Sequence, residues 1–585
     1  MLVPILTLLI HLTCVLGWTI PQHPFQASSK PQSRILSSEL IKRIENLRLK
    51  WAVKGISIGL AASPNTSDFA TTEDNCALEA LTFGEADRYE SKVEGDTLFA
   101  IASNSKLFHA LSVGLLVDNA TLLPDGGRLQ WSTKVKDILP EWKLMDEYAS
   151  DHVDLVDLAS MRSGLPRHDI WYGVVPPVDV VSNMRNLRPS TELRQHWQYN
   201  NNHYVTLGLI IERLSGLTLP EYVKLHIFDP VGLTSATYNA TQARESGHRS
   251  DGFSRQAVNY TACKASIEQG SVSVDRGCLG EAGSIDWWID GDGLWQAGPG
   301  GVIMSANDMA KWVKELLQPS VLPPSLIEAV TTGYTVMDGI PTYPQEGIKA
   351  YGLGQWMYEY RGHRVHGHTG SVPGQMSRMV RLPDLGMGFM IAINDDVFGL
   401  FLHEAIANLI LDEFLQVNDP IDWETYVANQ SIASLPSYTD VPENPRLFNT
   451  TIEGSYYDSG YGNLNIVQVQ SLEPLIEDII VHTPLNVTGP IYLAQLNSLW
   501  ISHMVFTHFD GPLFNWTLVY TADRWDENDQ KAGKLGKIEG TGTAIFNEDG
   551  FGMFGDYWGK GSTVPGSVVD EGKVKENAEV WYRRL

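Results

Sequence analysis

The segment TLFAIASNSKLFHALSVGLL, residues 97–116, sets Ser103 and Lys106 between an apolar strand-like entry and an apolar helical run. A charged amine is expensive to hold among apolar neighbours unless it is partnered or put to use. The fold must therefore bury this segment in a large core and bring suitable groups to the lysine. In a helix, residues three apart share a face. A serine at a helix N-terminus lies in the positive end of the dipole, which favours an alkoxide-like nucleophile. The amine one turn on can take the hydroxyl proton if burial and neighbours lower its pKa. The Ser-x-x-Lys spacing alone is weak, since it arises by chance about once or twice in a chain this long. Context and companions carry the argument.

Two companions follow along the chain. Tyr199 and Asn201 flank Asn200 at the opening of a second helical pattern, NNHYVTLGLIIERLSG. A phenol there can shuttle a proton to a leaving group. Asn201 can hold Lys106 and a substrate carbonyl, although the run would serve equally well as an N-cap. His368, Thr369, Gly370 and Ser371 form a strand-like run followed by VPGQ. A strand edge beside the nucleophile can give one N–H to an oxyanion hole, with Ser103 giving the other. Gly370 would let substrate approach the backbone closely. His363, His366 and His368 invite a metal reading, but no carboxylate completes a convincing set. No metal and no cofactor are expected.

The 585 residues suggest two to four domains, and 43% apolar with 10% aromatic content suits a globular chain. A formal charge of −26 without a basic run argues against nucleic acid as a partner. The expected partner is a small-molecule or peptide substrate. Residues 1–17 are apolar, end in small residues and read as a signal peptide, and no later segment is long enough to span a membrane. Eight Asn-x-Ser/Thr sequons follow, at Asn65, Asn119, Asn239, Asn259, Asn429, Asn449, Asn486 and Asn515. Together these point to a secreted glycoprotein. Cys263 and Cys278 are expected to close a small loop, with Cys76 left as a thiol.

Periodicity divides the rest. Residues 18–36 read as an N-terminal arm, and 37–415 as a helix, strands, many helices, strands and a final helix at 400–415. That order suits an α/β (α+β) architecture, an antiparallel sheet flanked by helices with a helical cluster beside it. Residues 416–445 carry Pro, Asp and Ser with little periodicity and are expected to be a linker. Residues 446–585, in short Gly-bounded runs, are expected to form a small all-β barrel or sandwich. Trp171, Tyr172, Trp287, Trp288 and Trp295 fall in loops that could wall a cleft or pack in a core.

Ser103-x-x-Lys106, Tyr199-x-Asn201 and His368-Thr369-Gly370, in that order, resemble the motifs of the class C β-lactamase and DD-peptidase family of penicillin-recognising serine hydrolases. The likeness covers roughly residues 37–415, and the tail is similar to β-barrel domains often appended in that family. It implies Ser103 as nucleophile, Lys106 as its activating base, Tyr199 as acid/base, and Asn201 as a substrate contact. The N–H of Ser371 would complete the oxyanion hole. His368 stands where many β-lactamases have lysine, which argues against efficient β-lactam hydrolysis. The implied function is a secreted serine hydrolase working through an acyl-enzyme on an ester or amide, of esterase or D-amino-acid peptidase type. A transesterase or acyltransferase of the same fold, or a catalytically silent binding protein, are the alternatives.

Overall fold

A computed structural model describes residues 34–63, 76–171, 173–268, 276–288, 297–433, 442–469, 489–496, 498–562 and 573–585. The expected signal peptide and most of the arm, with Asn65, Asn486, Tyr172 and Trp295, lie outside these residues.

Helix α1 (Ser38–Lys50) starts where the Ser37 side chain accepts from the Leu40 N–H, and it buries Leu40, Ile44 and Leu47 on one face. Strand β1 (Gly55–Ala62) follows and is buried over nearly its whole length. It pairs antiparallel with β2 (Ala77–Gly84). The other strands of this sheet come late in the chain. They are β3 (Thr335–Asp338), β4 (Lys349–Tyr351), β5 (Trp356–Tyr360), β6 (His363–Val372), β7 (Gln375–Leu382) and β8 (Met387–Ile393). Their order is β2-β1-β8-β7-β6-β5-β4-β3, with every pair antiparallel. Between β2 and β3 the chain builds the helical cluster, which includes α2 (Lys106–Asp118), α3 (Asn201–Ser215) and α4 (Ala306–Leu317). Helix α5 (Gly399–Phe414) follows β8 and buries residues around most of its circumference.

The stretch expected to be a linker contains a helix. Helix α6 (Trp423–Ala433) packs on α5, with Trp423 and Val427, four residues apart, both buried. Trp423 donates from Nε1 to the buried Asp412 Oδ2 on α5 (2.7 Å) and meets Tyr343 edge-on at 5.1 Å. This contact converts an irregular-looking sequence into part of the first core.

The C-terminal residues form a closed eight-stranded barrel. Its strands are β9 (Gly454–Asp458), β10 (Gly462–Val469), β11 (Ile491–Gln495), β12 (His503–Asp510), β13 (Leu513–Trp525), β14 (Lys531–Asn547), β15 (Gly550–Phe554) and β16 (Val580–Arg584). The order β12-β11-β10-β9-β16-β15-β14-β13 closes through the β12–β13 pairing, so no edge strand remains within the ring. The barrel has its own core around Phe506, Trp516, Phe546 and Phe551. It is also tied to the first body. The hairpin Gly252–Gln256 with Glu281–Ile285 continues the sheet from β13, and Ile170 inserts into the barrel core. A Cys263–Cys278 disulfide joins residues separated by 15 positions, while Cys76 is half-buried with its thiol directed at the Ala77 carbonyl.

Truncating Trp423 removes a fully buried ring and leaves Asp412 short of a donor. Trp423→Ala is expected to lower unfolding free energy by about 3–5 kcal/mol, read from urea denaturation. A change within experimental error would show that α6 is a dispensable connector.

Candidate active site

The nucleophile candidate lies at a turn between the strand-like entry and the apolar helical run. A short strand, Leu98–Ala100, leads into a tight 3-10 turn at Ala102–Ser105, and α2 starts only at Lys106. Ala102 takes a left-handed φ of 49°, which costs an L-residue energy and has to be held by its surroundings. Several bonds hold it. Ser377 on β7 donates to the Ile101 carbonyl (2.7 Å) and receives Asn104 Nδ2 (2.8 Å). Ser105 Oγ donates back to the Ala102 carbonyl (2.6 Å). The turn leaves Ser103 partly exposed while its neighbours Ala102 and Asn104 are buried.

Lys106 has no exposed surface. Its Nζ lies 2.9 Å from Ser103 Oγ and donates to the Pro299 carbonyl at 2.8 Å. Burial holds the amine well below the ordinary lysine pKa, and Arg167 adds to the shift while Asp169 opposes it. Tyr199 OH donates to the same Ser103 Oγ at 2.6 Å. Burial pushes the phenol above its usual range, so it remains a proton donor. The three groups therefore form one connected array. The neutral amine can accept the serine proton, and the phenol holds the serine oxygen from the other side.

Asn200 provides the N-cap of α3 by accepting from the His203 N–H, which releases Asn201 from that duty. The expected contact between Asn201 and Lys106 does not form as a hydrogen bond among the described residues. Asn201 Nδ2 instead donates to Asp169 Oδ2 (3.1 Å), and Pro299 O takes the place at the lysine. Asn201 Oδ1 is buried without a hydrogen-bond partner among the described residues.

The strand run is arranged as an edge. β5 pairs with β6 only as far as Gly367, so residues 368–372 are paired on one side alone. The two-residue turn Pro373-Gly374 closes on Val372 opposite Gln375, and a two-residue hairpin closes on a hydrogen-bonded pair. Alternation then turns the backbone groups of Thr369 and Ser371 away from β7, towards the open side. Gly370 has a packing role that differs from the expected one. A Cβ there would lie 2.3 Å from Ile101 O and 2.4 Å from Ser377 Oγ. Glycine lets β6 press against the nucleophile turn, and Gly370 is absent from the lining of the cleft. His368 does line the cleft and is neutral. Its pKa is lowered to about 3 by burial and by Lys106. Its Nδ1 faces the Thr369 carbonyl and therefore carries the proton, while Nε2 accepts from Tyr351 OH (2.9 Å).

Ser103, Tyr199, Asn201, His368 and Ser371 line one cavity of about 320 Å3. Its other walls come from a loop of the first body and from the barrel. Arg167 and Asp169, joined at 2.9 Å, come from the loop SGLPRHD. Trp500, Lys537 and Glu539 come from the barrel. Of the loop aromatics, Trp287 stacks on Trp500 at 5.3 Å, whereas Trp171 packs beside Val180 and Val205.

A family model described as Beta-lactamase matches residues 69–411. The unguisins hydrolase of Aspergillus campestris is 24% identical over 441 residues, covering 72% of this chain and 75% of that protein. The unguisins hydrolase of Aspergillus violaceofuscus is 26% identical over 465 residues, with the same coverage of both. Among solved structures, the octameric penicillin-binding protein homologue from Pyrococcus abyssi superposes with a TM-score of 0.53 at 17% identity. That match covers 88% of this chain and 97% of the archaeal one, and shows a shared fold.

Gly370→Ala forces β6 away from the turn. The expected result is a stability loss of about 1–3 kcal/mol in thermal unfolding, with slower fluorophosphonate labelling of Ser103. Wild-type labelling in that variant would show that the strand–turn contact does not set the serine.

Proposed function

The chain belongs to the β-lactamase family, and on that premise we propose that it is a secreted hydrolase that cleaves an ester or amide through an acyl-enzyme on Ser103. One observation carries this reading: a partly exposed hydroxyl lies within hydrogen-bond reach of both a desolvated amine and a protonated phenol. Ser103 Oγ attacks the substrate carbonyl carbon, and its proton passes to Lys106 Nζ. The carbonyl oxygen becomes an oxyanion received by the N–H groups of Ser103 and Ser371. As the tetrahedral adduct collapses, the bond to the leaving group breaks. Tyr199 protonates that group and is itself reprotonated from the Lys106 ammonium. Water then attacks the acyl-enzyme, gives a proton to the same array, and releases the acid and free Ser103. Asn201, with its unpartnered Oδ1, and the Ser371 backbone orient the acyl part.

Hydrolysis is supported by the two Aspergillus relatives, which are named as hydrolases. Export is supported by the Cys263–Cys278 bond, since disulfides persist in oxidising compartments. Exposed sequon residues at Asn119, Asn259 and Asn449 are compatible with glycosylation.

The test joins kinetics with pH. Ser103→Ala should abolish turnover and fluorophosphonate labelling on a panel of short-chain esters and amino amides. Lys106→Met should lower kcat/KM by about 10²–10⁴-fold, the usual contribution of a positioned base. Because the lysine pKa is depressed and only the free amine is active, wild-type kcat/KM should fall as pH drops through that value. Stability gives the matching sign. The unfolded chain binds a proton at this lysine that the native state lacks, so native stability rises with pH up to about 10.4. Lys106→Met should therefore raise the melting temperature at pH 7, with the gain shrinking as pH approaches that limit. Full turnover in Ser103→Ala would end the proposal.

A further inference from the structure

The cleft has a charge pattern that the family likeness does not explain. Arg167 and Lys537 are its cations, and Asp169 and Glu539 its carboxylates. Arg167 is engaged by Asp169. Lys537 Nζ lies 3.6 Å from Asp396 Oδ2 and 3.3 Å from Glu539 Oε1. Asp396 is fully buried, takes the Gly374 N–H on its Oδ2, and has no hydrogen-bond partner at Oδ1 among the described residues. Lys537 is therefore shared between two carboxylates, with Glu539 the nearer, and one ammonium cannot neutralise both. Lys106 and His368 are held uncharged by burial. No cation lining this cleft is without a carboxylate partner among the described residues, and Lys537, Asp396 and Glu539 together hold one carboxylate more than they hold cations.

The backbone presents Glu539 deliberately. On the paired strands, Leu518 faces Gly540 and Val519 faces Ile538, so Glu539 is the extra residue of a β-bulge in β14. Bulges bend a strand and re-aim a side chain, and they are enriched beside active sites. Glu539 keeps about 30% of its side chain exposed, so it is open to a ligand. Beside it, the Trp500 indole N–H is buried without a hydrogen-bond partner among the described residues. A donor and a surplus carboxylate thus face the nucleophile across one cavity.

We propose that Glu539 is a specificity residue that receives a substrate ammonium, so that the favoured substrates are esters or amides with a free amine near the scissile carbonyl. This rests on the acyl-enzyme reading of Ser103. It also implies that carboxylate-bearing acyl donors, penicillins included, find no uncompensated cation here.

The experiment uses the full chain and paired substrates, an aminoacyl p-nitroanilide with a free amine and its N-acetyl counterpart. Wild type should favour the free amine by about tenfold in kcat/KM, the scale of one partly screened ion pair. Glu539→Gln should erase that preference through KM, with kcat and the N-acetyl rate unchanged, and Glu539→Asp should restore part of it. Equal loss on both substrates, or no loss on either, overturns the assignment while leaving Ser103 untouched. Retained turnover in Ser103→Ala overturns the nucleophile instead. If neither anilide is cleaved, the same contrast is read as protection of Ser103 from fluorophosphonate by the amino amide and its N-acetyl form. Equal protection, or none, also overturns the Glu539 assignment.

Discussion

An amine with no exposed surface and, among the described residues, no carboxylate in hydrogen-bond reach is the constraint from which the rest follows. Lys106 has a serine hydroxyl and a peptide carbonyl as its hydrogen-bonding neighbours. An ammonium in that place would be unpaired and desolvated, so the group shifts its proton affinity and stays neutral. The neutral amine then needs a proton source, and Ser103 is placed to be one. Every neighbour serves that arrangement. The strained turn at Ala102 points the serine outward, Ser377 and Gly370 hold the turn against the sheet, and the rings of Tyr199 and Tyr204 lie 4.8 and 5.5 Å from the nitrogen. The ring faces offer attraction to any transient ammonium without supplying a fixed anion that would lock the proton there.

The barrel takes part in this geometry at two levels. Tyr461 OH meets His168 Nδ1 at 2.7 Å and receives Trp558 Nε1 at 3.0 Å, while the Lys560 backbone exchanges two bonds with the Gln198 amide. Gln198 immediately precedes Tyr199, so barrel docking fixes the approach of the phenol. The cleft face of the barrel, at Trp500, Lys537 and Glu539, then sets what can lie over the serine. One set of contacts positions the chemistry, and the other bounds the substrate.

Much of this is legible along the chain, and the missing parts share a cause. Strands β1, β6, β7 and β8 and helices α4 and α5 follow from short-range period, and Ser103, Lys106 and Tyr199 stand out because their local contexts are unusual for polar groups. Asn201 misleads because its sequence neighbourhood cannot show that Pro299, 193 residues from Lys106, reaches the amine first. Helix α6 is hidden because Trp423, Val427 and Ala428 mark its buried side among the described residues, and the surrounding Asp, Pro and Ser mask them. Arg167, Asp169, Trp500 and Glu539 carry no periodic signal at all. They matter because loops and a barrel dock where they do, and docking is not written in any window of residues.

The role of His368 is best understood through Tyr351. A lysine in its place would set a second ammonium beside Lys106 and raise the energy of whichever was protonated. A neutral imidazole, fixed between the Thr369 carbonyl and the Tyr351 hydroxyl, leaves Lys106 without that competitor. A neutral side chain here also offers no charge to attract a substrate carboxylate to the strand edge. What remains for recognition is the backbone edge at Ser371, the amide of Asn201 and the far wall. The charges that line this cleft then come from the SGLPRHD loop and the barrel, at Arg167, Asp169, Lys537 and Glu539, and not from the sheet.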